Sequence, residues 1–305
     1  MNVTATLLCF CTVLFVPIMG FVAGVFTAFP SALFFSRWGA PKGFWVPGGA
    51  AVLGSALFVA MGTPQSIPYY LSMLLMGLVL GYGTRSQWSV EKTVAAASLL
   101  VYAIGGALFL STQMQEGQNP IQVIEEDLRR SFLVAIQEAR GVSQEVPLLE
   151  DALQRLVPLM AKLAPGGVLA SLLIISWLNL LILRRYRRLH KPSFAVWDEW
   201  SRWKAPEHLV WGVIASGFVL FLPTPSALKI VSLNVLVVLG TVYLLQGMAV
   251  LGFYFDRWKV PRFLRALLYG LVLLQQIATL LAIFMGLFDM WFDFRRLSQK
   301  SNSTA

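Results

Sequence analysis

Reactive side chains are scarce in this chain of 305 residues, which holds two cysteines, two histidines and only 13% charged residues. Cys9 and Cys11 lie two apart in an apolar run. On a helix they point nearly opposite ways, which excludes a mutual disulfide or a shared metal and leaves them as small packing residues. His190 and His208 stand among basic and interfacial residues, so no metal is expected. Phosphate-cradling glycine loops, HExxH, CxxC and the GxSxG elbow are all missing, so no cofactor and no enzymatic activity are expected. A basic n-region and a small-residue cleavage site are missing as well, and the N-terminus reads as a retained membrane anchor.

Charge is the most informative shortage. Soluble domains carry roughly a quarter charged residues, whereas this chain is 57% apolar with a mean hydropathy of +0.69. The apolar residues are gathered in runs: Thr4 to Phe35, Phe44 to Met61, Ile67 to Tyr82, Thr93 to Leu110, Gly166 to Leu183, Leu209 to Leu222, Ile230 to Phe255 and Phe263 to Phe288. A helix needs about 20 apolar residues to cross the hydrocarbon slab with its backbone amides satisfied internally. An all-α polytopic bundle of eight crossings is therefore expected, or nine if Pro17 and Gly20 split the first run into a hairpin.

The net charge of +9 is concentrated at helix ends. The densest cluster, Arg184, Arg185, Arg187, Arg188, Lys191, Arg202 and Lys204, is assigned to the cytoplasm by the positive-inside bias. Alternation from there puts the basic links at Arg37, at Arg85 and at Arg257 inside. It puts Arg295, Arg296 and Lys300 outside, unless one of the last helices is re-entrant. These charges are expected to meet lipid headgroups rather than nucleic acid.

Four stretches follow: 1–112 with N-terminal crossings, 113–164 as an extracytoplasmic insertion, 165–290 with C-terminal crossings and the basic link 184–208, and a polar tail, 291–305. Acidic residues outnumber basic ones in the insertion. Ile121, Ile124, Leu128, Phe132 and Ile136 recur at helical spacing, and Leu148, Leu149, Leu153 and Leu156 continue the pattern, predicting two amphipathic helices that cap the bundle or dock a partner. Trp197, Trp200, Trp203 and Trp211 alternate with charges over Phe194 to Trp211, predicting a short interfacial helix that anchors the chain or receives a partner.

Polar side chains inside apolar runs face protein or a cavity. Gln275, Thr279, Ala282, Gly286, Asp289 and Asp293 fall within about 80° of one another at 100° per residue. Asn179 with Ser176 forms a second polar spot, and Asn234 with Thr241 a third, with Gln246 on the same helix. Either these groups bond between helices or they line a pocket for a small polar ligand, with Asn179, Asn234, Gln246, Gln275 and Asp289 as its lining. Gly20 with Gly24 and Gly77 with Gly81 have the GxxxG spacing of close helix approach, and Gly48 with Gly49 and Gly105 with Gly106 thin two more helices.

Pro17 and Pro30, the run from Gly81 to Arg85, Asn234 with the run from Tyr243 to Leu251, and the ending from Gly286 to Arg296 resemble the bacterial YybS-like membrane proteins, domain of unknown function 2232. The resemblance spans nearly the whole chain and implies a bacterial inner-membrane protein. That family has no established activity and is grouped distantly with the S components of energy-coupling-factor transporters. Such a likeness implies a transporter-like ligand-binding bundle that recruits a membrane coupling partner or a second copy, with Gly20 and Gly24 at the contact. The S components' alanine pattern is absent, and the insertion and extra helices depart from their six-helix plan. The competing reading is a scaffold that docks partners through Trp197, Trp200 and Trp203 or through the insertion.

Overall fold

A computed structural model describes residues 25–139, 146–190 and 200–295, and no strand occurs among them. The helices are α1 (Ala28–Trp38), α2 (Trp45–Ala60), α3 (Ile67–Arg85), α4 (Val90–Gln115), α5 (Pro120–Ala139), α6 (Val146–His190), α7 (Leu209–Phe221), α8 (Ser226–Arg257), α9 (Arg262–Leu274) and α10 (Gln276–Phe292). The protein is all-α, as the hydrophobic patterning requires.

Crossing length divides these helices. Lys42–Ala60, Pro64–Arg85, Val90–Gln115, Leu153–Tyr186 and Ser226–Arg257 are long and apolar enough to span a bilayer. The 13 residues of α7 reach roughly 20 Å, short of a hydrocarbon core of about 30 Å. The last apolar run is not one helix: α9 and α10 meet at a 100° bend. Most of the first run, with Cys9, Cys11, Pro17, Gly20 and Gly24, lies outside the described residues. Five helices of crossing length, or six with the bent pair, therefore stand among the described residues against the eight or nine expected.

Contacts group the chain into two compact units, one of Met1–Tyr102, Ser171–Val210 and Gly240–Ala305, the other of Ala103–Ala170 and Trp211–Leu239. In the first, α3 lies against α1 because Gly77 and Gly81 carry no side chains. A Cβ on Gly77 would meet the Ala28 carbonyl oxygen, and one on Gly81 that of Ala32. Ala28 and Ala32 are fully buried there. The other face of α3 sends Tyr70 to α2, where its hydroxyl donates to the Ala50 carbonyl (2.7 Å) and its ring meets Phe58. Gly48, Gly49, Gly105 and Gly106 face open space, so they thin no packed interface among the described residues.

The insertion departs from expectation. Only its first amphipathic helix, α5, is separate; the second is continuous with the following apolar run in the 45-residue α6, which passes through Pro158 and Pro165. Proline lacks an N–H and strains the preceding turn, and the second unit repairs that turn with Asn234. Its Oδ1 accepts the Gly166 N–H (2.6 Å) and its Nδ2 donates to the Lys162 carbonyl (2.9 Å). Those two backbone groups would bond to each other in an uninterrupted helix, so the Asn234 amide is spliced into the ladder. A side chain on Gly166 would strike Asn234.

The α9–α10 pair ends where it begins. Arg265, in the first turn of α9, donates to the Phe255 carbonyl (3.0 Å) and pairs with Asp256, and Tyr269 reaches the Met248 carbonyl (3.4 Å), so α9 runs back along α8. Extended backbone at Gln275 breaks the helix, and the Thr279 hydroxyl caps the Val272 carbonyl (2.5 Å). Beyond the corner α10 returns until the Phe294 carbonyl accepts the Tyr254 hydroxyl (3.1 Å), at the Arg257 end of α8 again. Both the start of α9 and the end of α10 therefore lie near the Arg257 end of α8, and Arg295 bonds there to the backbone of residues 201 and 203.

Two measurements check these features. Green fluorescent protein and alkaline phosphatase fused after Lys204 and after Arg295 are expected to give the same active reporter at both points; opposite reporters would mean a crossing between them. Asn234→Leu leaves the Gly166 and Lys162 groups without their clasp and is expected to cost about 1–3 kcal/mol, read as a lower melting temperature in detergent.

Candidate functional site

Ala282, Gly286 and Asp289 are spaced four and three apart and so share one face of α10. All three are buried. The face is narrow enough to touch α8: a Cβ on Gly286 would overlap the Tyr243 carbonyl, and one on Gly247 the Ala282 carbonyl. This approach sets Asp289 against Gln246, whose Nε2 donates to Asp289 Oδ2 (3.2 Å) while its Oε1 accepts the Ala205 N–H (3.2 Å).

Asp293 ends α10 in the left-handed region, at φ 40° and ψ 56°. The turn carries Arg295 back over the helix end, where its Nη2 lies 2.5 Å from Asp289 Oδ2 and its Nη1 donates to the carbonyls of Ser201 (2.7 Å) and Trp203 (2.9 Å). Asp289 and Gln246 are 0% exposed and Arg295 3%. Lys204 adds an ion pair to Asp293 (3.0 Å). Residues 201–205 are thus tied down by two carbonyls, one amide N–H and one ammonium group. Asp289 Oδ1 and Arg295 Nε have no hydrogen-bond partner.

Tying this segment down decides where its aromatic rings go. Trp200 and Trp203 lie with their planes 4° apart, and Trp177 of α6 stands across both, its ring centre 4.5 Å from the one and 4.4 Å from the other. Trp203 Nε1 donates to Glu91 at the start of α4 (3.2 Å), and Ser98 bonds Ser176 (2.9 Å) to join α4 to α6. Two cavities flank this cluster. One, about 290 Å³, is lined by Ser89, Glu91, Arg184, Arg202, Lys204 and the three tryptophans. The other, about 330 Å³, is walled by Val94, Ala95, Leu173, Pro206, Leu209, Val242 and Leu245, with Glu91, Lys92 and His208 among its lining. Trp177, Trp203 and Glu91 border both. The first offers cationic donors beside one carboxylate and the second an apolar wall.

Of the lining expected from sequence, the structure brings together Gln246 and Asp289 alone. Asn179 is buried on α6, donating to the carbonyls of Val25 (2.7 Å) and Ile175 (2.8 Å). Asn234 belongs to the other unit and is occupied by the α6 ladder. Gln275 is exposed at the hairpin corner. Trp200 and Trp203 pack on Trp177 instead of facing outward, and the interfacial helix expected for this stretch is, where described, a single 3-10 turn at Trp200–Arg202 followed by irregular backbone. Trp197, Gly20 and Gly24 fall outside the described residues. Trp177 and Glu91 are not among the residues expected from sequence, which marks Arg295 only as part of the basic tail. Trp177, in mid-run rather than at a run's end, was the one visible signal.

Several apolar helices of crossing length, with a buried polar cluster among them, define a polytopic α-helical membrane protein. The chain belongs to the family of predicted membrane proteins described as domain of unknown function 2232, which matches residues 4–290. Neither a curated protein nor a solved structure matches it.

Removing one partner of a buried ion pair strands the other charge and costs about 3–5 kcal/mol. Arg295→Gln or Asp289→Asn alone is therefore expected to lower the melting temperature sharply, and Asp289→Leu with Arg295→Met to recover part of the loss. Equal melting for all three and the parent protein would mean the pair holds nothing in place.

Proposed function

We propose that the protein is a transporter-like ligand-binding bundle of a bacterial inner membrane, with residues 184–208 on the cytoplasmic side, acting by binding rather than catalysis. The observation that carries this reading is the pair of cavities meeting at Trp177 and Trp203. Their volumes are near the lower end of the range for small-molecule sites, roughly 300–1,000 Å³, and they combine an apolar wall with a few convergent polar groups. Neighbouring tryptophans do not fill the space, while the ion pair of Asp289 and Arg295 holds its mouth segment in place. The resemblance to S components supports the same reading and adds a membrane coupling partner. A docking scaffold built on Trp200 and Trp203 would need those rings outward, whereas both pack against Trp177.

Gentle purification followed by mass spectrometry tests the proposal. The parent protein is expected to carry one small molecule, and Ala95→Trp, which fills the apolar cavity from α4, to lose it. A well-folded parent protein that carries no small molecule would end the proposal.

A further inference from the structure

Across α8, α9 and α10 the charges do not balance, and the surplus lies in a single corner. Residues 226–295 hold three carboxylates, Asp256, Asp289 and Asp293. Each already has its own cation: Arg265 pairs with Asp256, Arg295 with Asp289 and Lys204 with Asp293. Three further cations, Arg257, Lys259 and Arg262, stand within six residues where α8 gives way to α9. All three are exposed, and none of their side chains has an ion-pair or hydrogen-bond partner among the described residues.

Arg265 holds that corner closed. Its Nε donates to the Val260 carbonyl (2.7 Å), its Nη2 to the Phe255 carbonyl (3.0 Å), and its Nη1 pairs with Asp256. Lys259 takes the left-handed conformation (φ 53°) that ends α8, and the Val260 N–H returns to the Phe255 carbonyl (2.9 Å). The one carboxylate of the turn is thus consumed in building it. Its three unspent neighbours carry positive charge on long flexible stems, which suits an anion that accepts several hydrogen bonds at once.

The apolar residues beside these cations specify the rest of the ligand. Trp258 is 66% exposed and Phe263 82%. Phe263, Leu267 and Leu271 are spaced four apart and so share one face of α9. All three are exposed, and no residue of α9 is buried. A free anion would leave that face uncovered, and hydrocarbon alone would leave the cations without a partner. A molecule with an anionic head and an oily tail satisfies both, and tryptophan beside basic residues marks headgroup depth in a bilayer.

We propose that the corner between α8 and α9 binds one anionic membrane lipid, its phosphate-bearing headgroup held by Arg257, Lys259 and Arg262 and a hydrocarbon chain lying along Phe263, Leu267 and Leu271. None of these residues lines either cavity, so the site stands apart from the ligand-binding reading above.

Native mass spectrometry of the full chain in a neutral detergent tests the site with three probes: dioctanoyl phosphatidylglycerol, dioctanoyl phosphatidylcholine and glycerol 3-phosphate. One phosphatidylglycerol is expected to bind about tenfold more tightly than phosphatidylcholine, and the margin to shrink as salt is raised. A variant carrying Arg257→Gln, Lys259→Gln and Arg262→Gln together is expected to lose that margin while melting as the parent protein does. Each single variant is expected to lose about twofold of it, which keeps the test decisive if the triple variant fails to fold. Lys229→Gln, near the other end of α8, is expected to change nothing. Equal affinity for the two lipids would overturn the proposal, as would a margin that survives all three substitutions or falls as far with Lys229→Gln. Glycerol 3-phosphate binding as tightly as the lipid would assign the corner to a free phosphate and overturn it too. A margin lost in Ala95→Trp but kept in the triple variant would move the lipid to the cavities and refute the corner. A parent protein whose cavities carry nothing would end the ligand-binding reading alone, since the corner is read from the margin between the two added lipids.

Discussion

A carboxylate and a guanidinium taken out of water together must find each other and nearly all of their remaining hydrogen bonds inside the protein, because each alone is too costly to bury. Asp289 and Arg295 meet that condition by recruiting Gln246 from α8 and the carbonyls of Ser201 and Trp203. Three segments far apart in the chain are fixed by one constraint. The placement of residues 200–205 follows from it, then that of Trp200 and Trp203 on Trp177, and then the two cavities that share those rings. The ion pair is at most 3% exposed, while Arg202 on the same segment is exposed.

The pair could not form without the absence of side chains elsewhere. Lipid tails are as apolar as leucine, so helices in a bilayer gain little from merely hiding apolar surface and gain more from close backbone approach. Gly247 and Gly286 permit that approach between α8 and α10, as Gly77 and Gly81 do between α3 and α1. The same economy operates in the other unit, where Gly166 admits the Asn234 amide to the broken ladder of α6. Small residues are used where backbones meet, and polar ones where a backbone group has lost its partner.

How much of this was legible in sequence depended on the range of the interaction. Apolar runs and their helical character are local, and they were readable. GxxxG spacing was readable as packing at Gly77 and Gly81, yet the adjacent glycine pairs, equally visible, meet nothing. The stripe through Ala282, Gly286 and Asp289 identified a buried face correctly, but extending it to Gln275 assumed a straight helix, and the break at that residue puts its side chain at an exposed corner. Asn234 and Gln246 were equivalent as polar residues on one helix; only the fold separates a ladder clasp from an ion-pair ligand. Arg295 was filed with a polar tail because nothing local announces that a left-handed Asp293 will turn it back onto Asp289. That Arg184, Arg202 and Lys204 of the basic link come together on one cavity wall is likewise a long-range fact.

The hydroxyl of Thr279 has a wider meaning. Where a helix snaps inside oil, an orphaned carbonyl ordinarily invites solvent to follow it. At the elbow after Leu274 the Val272 oxygen is already stoppered from seven residues ahead. That bond closes one of the polar groups the break would otherwise leave open, on the same pair of helices that delivers Asp289 to its partner.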